Sequence, residues 1–213
     1  LSLGDENRSG VYGVIQLLDE AQPKNIHWYF SHYPDENHNS VGLIALRNNL
    51  KQIFKGWLVS DDELSHSMTP EQLIKHYQRL SSSLNINQPI PTPSIRAAIR
   101  YFYRQEKIDE IPVFMAKVKN ELPASEQGFI IMQASYVGHF DSPESALKIL
   151  QKSEDRFNGS VEYLKSIAST YEKLENATLA INYYEKALKL AQLYKSNQWQ
   201  INIIEAKLLK NKG

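Results

Sequence analysis

Residues 166–190 read "SIASTYEKLENATLAINYYEKALKL" and carry the clearest helical pattern of the chain. Together with Leu164, the apolar and small residues of this stretch recur at steps of three and four, which places them on one face of each of two helices. These positions are Leu164, Ile167, Ala168, Tyr171, Ala180, Tyr184 and Ala187. The pattern therefore predicts a hairpin of two packed helices.

The same pattern recurs 34 residues upstream, and a weaker third copy runs from Ser94 to Pro123. The upstream positions are Ile130, Gln133, Ala134, Val137, Ala146, Leu150 and Ser153. The positions of the third copy are Ile95, Ala98, Ile99, Phe102, Ile111, Met115 and Val118. The small Ala134 and Ala146 stand where two helices must approach closely. Residues 93–213 are therefore predicted to be helical throughout.

The period and these positions resemble the tetratricopeptide repeat. Each repeat of such an array buries its apolar face only against its neighbours, so about three repeats and a terminal cap helix make a minimal stack. Residues 197–211 are predicted to be the cap helix, with Trp199, Ile203, Ala206 and Leu209 along its apolar side. The resemblance implies that the repeats bind a peptide or protein partner or hold a homo-oligomer.

Residues 1–57 show the order strand, helix, strand, helix. Apolar residues at helical spacing predict helices over 9–21 and from Val41 onward, and alternation in "NIHWYFSHY", residues 25–33, predicts a strand between them. The fold class that this order predicts is an α/β remnant, the last β-α-β-α of an α/β sheet, followed by the all-α repeats. Two strands alone leave sheet edges open, so we expect a second copy or another polypeptide to pair with them.

Residues 58–92 are predicted to be a linker with one helix. Thr69, Pro70 and Gln72 supply an N-cap, a proline at the first helical position and a capping-box glutamine. Three prolines between Gln88 and Pro93 then favour extended backbone. The predicted domains are therefore 1–57, 58–92 and 93–213.

His38 is the candidate catalytic residue. It follows the predicted strand and precedes a predicted helix, whose N-terminal dipole would keep the imidazole neutral and able to accept a proton. Position alone is equally consistent with a polar loop residue.

The segment "HYPDENHNSVGLIALRNNLKQIFKGW", residues 32–57, resembles the C-terminal end of the esterase D and siderophore-esterase-like group of α/β-hydrolases. That resemblance implies His38 as the catalytic histidine. It also implies that the acid lies in the loop after the preceding strand, where the candidates are Asp5 and Glu6. Either carboxylate can equally be a solvated turn residue.

The nucleophile is not in this sequence, because no G-x-S-x-G motif occurs. The chain begins with Leu1, so we expect it to start inside a domain, with the nucleophilic serine upstream. The resemblance then implies that the chain is the C-terminal region of a carboxylic ester hydrolase that acts by a Ser-His-acid mechanism, and that it is inactive alone. The alternative function is a non-catalytic protein-interaction module built on the helical repeats.

Composition excludes several other classes of protein. The 24 basic residues balance 24 acidic ones, so neither nucleic acid nor a membrane surface is predicted as a partner. The histidines other than His38 show no paired spacing suited to a metal, and no cofactor is predicted. They are His27, His32, His66, His76 and His139. Tyr101, Tyr103, Tyr183 and Tyr184 favour packing between repeats and groove walls over a cofactor site. The absence of cysteine leaves both cytoplasm and periplasm open.

Overall fold

A computed structural model describes residues 2–3, 10–24, 26, 28–37, 39–66 and 68–212. The chain divides into two compact units, Leu1–Gly56 and Trp57–Gly213, and each is described by itself. Helices account for 74% of the described residues. None of the described helices has the length and apolar composition required to cross a bilayer.

The first unit contains β1 (Ser2–Leu3), α1 (Val11–Ala21), β2 (Ser31–His32) and α2 (Val41–Ile53). The second unit is helical. Its elements are α3 (Asp61–His66), α4 (Pro70–Leu84), α5 (Thr92–Arg104), a 3-10 turn (Ile108–Glu110), α6 (Ile111–Glu121), α7 (Pro123–Phe140), α8 (Pro143–Gln151), α9 (Glu154–Phe157), α10 (Val161–Lys173), α11 (Ala177–Leu193) and α12 (Gln198–Lys212).

The predicted α/β remnant is wrong. β1 and β2 pair in parallel through two residue pairs alone, Ser2 with Ser31 and Leu3 with His32. Ordinary strands run for about five residues, so these two bridges do not make a sheet on which helices can pack. Among the described residues 26 and 28–30, where the alternating pattern predicted a strand, the backbone forms none.

The two helices of the first unit are present, but their apolar faces are uncovered. No side chain of α1 is buried, and α2 buries Ala45 alone. Leu43 is 79% exposed and Leu46 is 56% exposed, although both belong to the stripe that predicted packing on a sheet. The periodicity thus located the helices correctly, whereas the assumed sheet is missing among the described residues.

The second unit begins with a core that includes residues predicted to form a linker. Thr69 caps α4 as predicted: its hydroxyl accepts from the amide of Gln72, and the Gln72 side chain accepts from the Thr69 amide at 2.7 Å. Leu73 and Tyr77 of α4 are buried with side chains of α5 and α6. The buried Ser94 hydroxyl accepts from the Val59 amide at 2.9 Å, which ties the start of this unit to α5.

The hairpins predicted from the 34-residue pattern are present as α7 with α8 and α10 with α11. All seven packing positions from Leu164 to Ala187 are buried. In the upstream copy Ala134 and Ala146 are 3% exposed. A Cβ added to Gly138 would lie 3.1 Å from the Cβ of Ala146, which shows how closely α7 and α8 approach. The helical part of the prediction is consistent with the structure.

The terminal helix packs through a different side from the one predicted. α12 buries Ile204 and Leu208 against α10 and α11, whereas Trp199 is 61% exposed and Leu209 is 74% exposed. Both sets have helical spacing, because α12 carries apolar residues on more than one side. The sequence pattern therefore located the cap helix but selected the wrong face.

Candidate functional site

The predicted catalytic residues His38, Asp5 and Glu6 lie outside the described residues. In chain order β2 ends at His32 and α2 begins at Val41, so His38 falls between them. Among the described residues next to it in the chain, Asn39 donates its amide to the Asn37 side chain at 2.8 Å, and the amide of Asn37 donates to the Ser40 hydroxyl at 3.0 Å. The catalytic roles of the three residues stay predictions.

The helical unit has a groove lined mainly by α5, α7, α10 and α12. Its inner part is a cavity of about 300 Å³ between α7, α10 and α12. Leu150 and Tyr184, both buried, form part of its floor, and Ser135, Ser166 and Ser169 supply hydroxyl groups. An apolar floor with a few hydroxyl groups along it can bind a ligand through apolar contact and hydrogen bonds.

The outer part of the groove is a cavity of about 660 Å³ formed by α5, α7 and the end of α10. Its lining contains three aromatic rings and four basic side chains. They are Tyr103, Tyr136, Phe140, Arg100, Arg104, His139 and Lys173. Ser135 and Lys173 line both cavities, so the two parts form one continuous surface, called the groove below.

Glu172 fixes the wall of the groove that α12 supplies. Its carboxylate accepts hydrogen bonds from the Tyr184 hydroxyl at 2.6 Å, from Lys207 at 2.9 Å and from Asn211 at 3.0 Å. These partners belong to α11 and α12, while Glu172 belongs to α10. Burial by itself would raise the pKa of Glu172, but the three hydrogen bonds and the Lys207 charge outweigh burial and lower it below 4.5. The carboxylate thus holds three helices together in its ionised form.

This arrangement predicts a pH-dependent stability that Glu172→Gln removes. Because the pKa is lower in the folded state, the carboxylate stabilises the fold above about pH 4.5, and that stabilisation is lost as pH falls through the folded-state pKa. We expect Glu172→Gln to lower the free energy of unfolding by about 1–2 kcal/mol at pH 7. At pH 3 the free energies of unfolding of the variant and the wild type should differ by less. Denaturant titrations at both pH values measure the difference.

The control for this prediction is Glu185→Gln. Glu185 pairs with Lys212 at 2.9 Å, but both side chains are more than half exposed, so the pair contributes little. An equal pH response of the two variants would contradict the role assigned to Glu172.

The sequence predicted some side chains of the site and missed others. Tyr103 and Tyr184 were predicted to serve packing between repeats or groove walls; Tyr103 lines the outer cavity, and Tyr184 packs under the inner one. Arg104 and Lys173 come from different helices, and nothing in their local sequence marks them. No group of three or more His, Asp or Glu side chains that could hold a metal occurs within the described ranges.

Comparisons of the chain with models of known protein families, with curated proteins and with solved structures find no match. The resemblances to esterases and to tetratricopeptide repeats therefore stay predictions. The geometry of the helical unit is what bears on function.

Proposed function

We propose that the helical unit, residues 57–213, is a protein-interaction module that binds a peptide segment of another protein in the groove. The observation that carries this proposal is the continuity of the inner and outer cavities through Ser135 and Lys173. Together they offer a surface that crosses α5, α7, α10 and α12, which suits an extended chain better than a compact small molecule.

The lining of the groove supports binding over catalysis. Hydroxyl groups, apolar side chains and basic side chains all occur in its lining, and peptide grooves combine such groups to obtain both affinity and selectivity. His139 lies in the outer cavity, yet among the described residues it makes no hydrogen bond with a serine or a carboxylate. A nucleophile, a base and an orienting acid in hydrogen-bond contact are what a serine hydrolase site requires.

Selection from a random peptide library displayed on phage, with the whole chain as bait, tests the proposal. Ser135 is exposed and lines both cavities, so Ser135→Trp fills the groove without disturbing the core. We expect selected peptides to bind the wild-type chain and to lose at least about tenfold in affinity for Ser135→Trp, since tenfold corresponds to only about 1.4 kcal/mol of lost contact.

The matched control is Lys148→Trp, which places the same ring at an exposed position of α8 outside the groove. Lys148→Trp should leave the affinity of the selected peptides unchanged. A library that yields no binder, or binders that tolerate Ser135→Trp, would show that the groove is not a peptide site.

A further inference from the structure

Three aromatic rings of the outer cavity form a shelf, defined as Tyr103, Tyr136 and Phe140. The centroids of the Tyr103 and Phe140 rings are 5.1 Å apart with an interplanar angle of 29°, so the two are stacked. The centroid of the Tyr136 ring lies 5.1 Å from that of Tyr103 and 5.9 Å from that of Phe140, with interplanar angles of 43° and 33°. Phe140 is nonetheless 62% exposed. The shelf therefore presents apolar ring surface to solvent inside a cavity, where another aromatic or large apolar side chain can stack.

Cations surround this shelf, and no carboxylate lines the cavity with them. Arg100 is already engaged, since it forms an ion pair with Asp61 and donates to the Tyr136 hydroxyl at 3.0 Å. The side chains of Arg104 and Lys173 form no hydrogen bond or ion pair with any residue that the structure describes. Both belong to the cavity lining, so a ligand carboxylate placed there meets two cations that are not already paired. Asp141 follows Phe140 in the chain. Burial raises the pKa of Tyr103 and the charge of Asp141 raises it further, so the negative charge near the shelf lies on the Tyr103 side.

We infer that the groove selects peptides in which an acidic residue stands next to an aromatic one. The aromatic side chain stacks on the shelf of Tyr103, Tyr136 and Phe140, and the carboxylate binds Arg104 and Lys173. The remainder of the peptide runs through the inner cavity along Ser135. This inference rests on the proposed function, because it names the chemistry of the peptide that the groove takes.

The distribution of charge favours a peptide over RNA. A phosphate backbone needs a row of unpaired cations along its path. In the inner cavity Lys165 is bound to Glu162 at 3.0 Å, and Lys207 is bound to Glu172 at 2.9 Å. The unpaired cations of the described lining thus cluster in the outer cavity beside the shelf, which suits one or two carboxylates rather than a polyanion.

Three peptide pools with randomised flanks test the inference against the whole chain. The first pool carries a fixed Asp-Trp or Trp-Asp pair, the second replaces Asp by Asn, and the third replaces Trp by Ala. We expect the first pool to be enriched about tenfold over both others, and its affinity to fall as salt rises. A short oligouridylate serves as the RNA probe and should bind more weakly than the first pool.

Two variants test whether the shelf and the two cations bind the Asp-Trp peptides. Phe140→Ala removes an exposed ring of the shelf, and we expect it to weaken the Asp-Trp peptides about five- to tenfold. The double variant Arg104→Gln and Lys173→Gln should abolish the preference for Asp over Asn and the salt dependence. Lys148→Gln, an exposed cation outside the groove, should change neither.

The outcomes separate this inference from the proposed function. Suppose that random-library peptides bind the wild-type chain and that Ser135→Trp abolishes this binding. If the first pool is then not enriched, or if the shelf and cation variants leave the affinity of the Asp-Trp peptides unchanged, the inference is wrong and the groove remains a peptide site. Tighter binding of oligouridylate overturns the inference as well. If no peptide binds, both fail.

Discussion

Phe129→Ala is expected to lower the free energy of unfolding of the helical unit by about 3–5 kcal/mol, the range for removal of a fully buried aromatic ring. Phe129 is 0% exposed. Its ring meets that of Phe114 edge to face at 5.4 Å, and Phe114 in turn contacts Phe102 at 5.1 Å. The substitution therefore opens a cavity where α5, α6 and α7 meet.

Phe140→Ala is the matched control, because it is the same substitution on the same helix. Phe140 is 62% exposed, so its loss should cost about 1 kcal/mol, chiefly through its ring contacts with Tyr103 and Tyr136. Denaturant unfolding followed by far-ultraviolet circular dichroism compares the two. Similar stabilities for both variants would mean that Phe129 is not in the core, and the packing of α5 to α7 described above would be wrong.

Arg156→Ala has the second largest expected effect: it should lower the free energy of unfolding by about 2 kcal/mol. Arg156 donates two hydrogen bonds of 2.8 Å to the carboxylate of Glu126, a bidentate pair. The side chain of Glu126 is 9% exposed, whereas that of Arg156 is 43% exposed. Removal of the arginine leaves a nearly buried carboxylate without its partner, and the partial exposure of the pair keeps the cost below that of a fully buried one.

A second substitution tests that reason. In the Arg156→Ala background, Glu126→Gln removes the unpaired charge and should restore part of the lost stability. Lys165→Ala breaks the comparable pair with Glu162, whose side chain is 56% exposed, and should cost only a few tenths of a kcal/mol, roughly. A Glu126→Gln change that destabilises Arg156→Ala further would contradict the account of this pair.

The spacing of apolar residues along the chain predicted the helical hairpins correctly, for a physical reason. A helix satisfies its backbone hydrogen bonds within one segment, so the spacing of Leu164, Ile167 and Tyr171 is enough to indicate both the helix and its buried face. A strand depends on a partner elsewhere in the chain. The alternation over residues 26–31 therefore could not show whether a sheet exists, and the predicted α/β remnant was wrong for this reason.

The candidate site was predictable only in outline. The resemblance to a repeat array led to the expectation of a peptide or protein partner or a homo-oligomer, and Tyr103 was among four tyrosines assigned to repeat packing or groove walls. The cations Arg104 and Lys173 and the exposed ring of Phe140 come together from three helices, which no local spacing encodes. The same holds for Glu126 and Arg156, 30 residues apart in the chain.

The most direct test of the central claim compares the affinity of the most enriched library peptide for the wild-type chain and for Ser135→Trp. Isothermal titration calorimetry on both whole chains measures the two dissociation constants under the same conditions. We predict that Ser135→Trp weakens binding by at least about tenfold, because the ring occupies the point where the two cavities join. Equal dissociation constants would place the ligand elsewhere on the chain and contradict the proposed function.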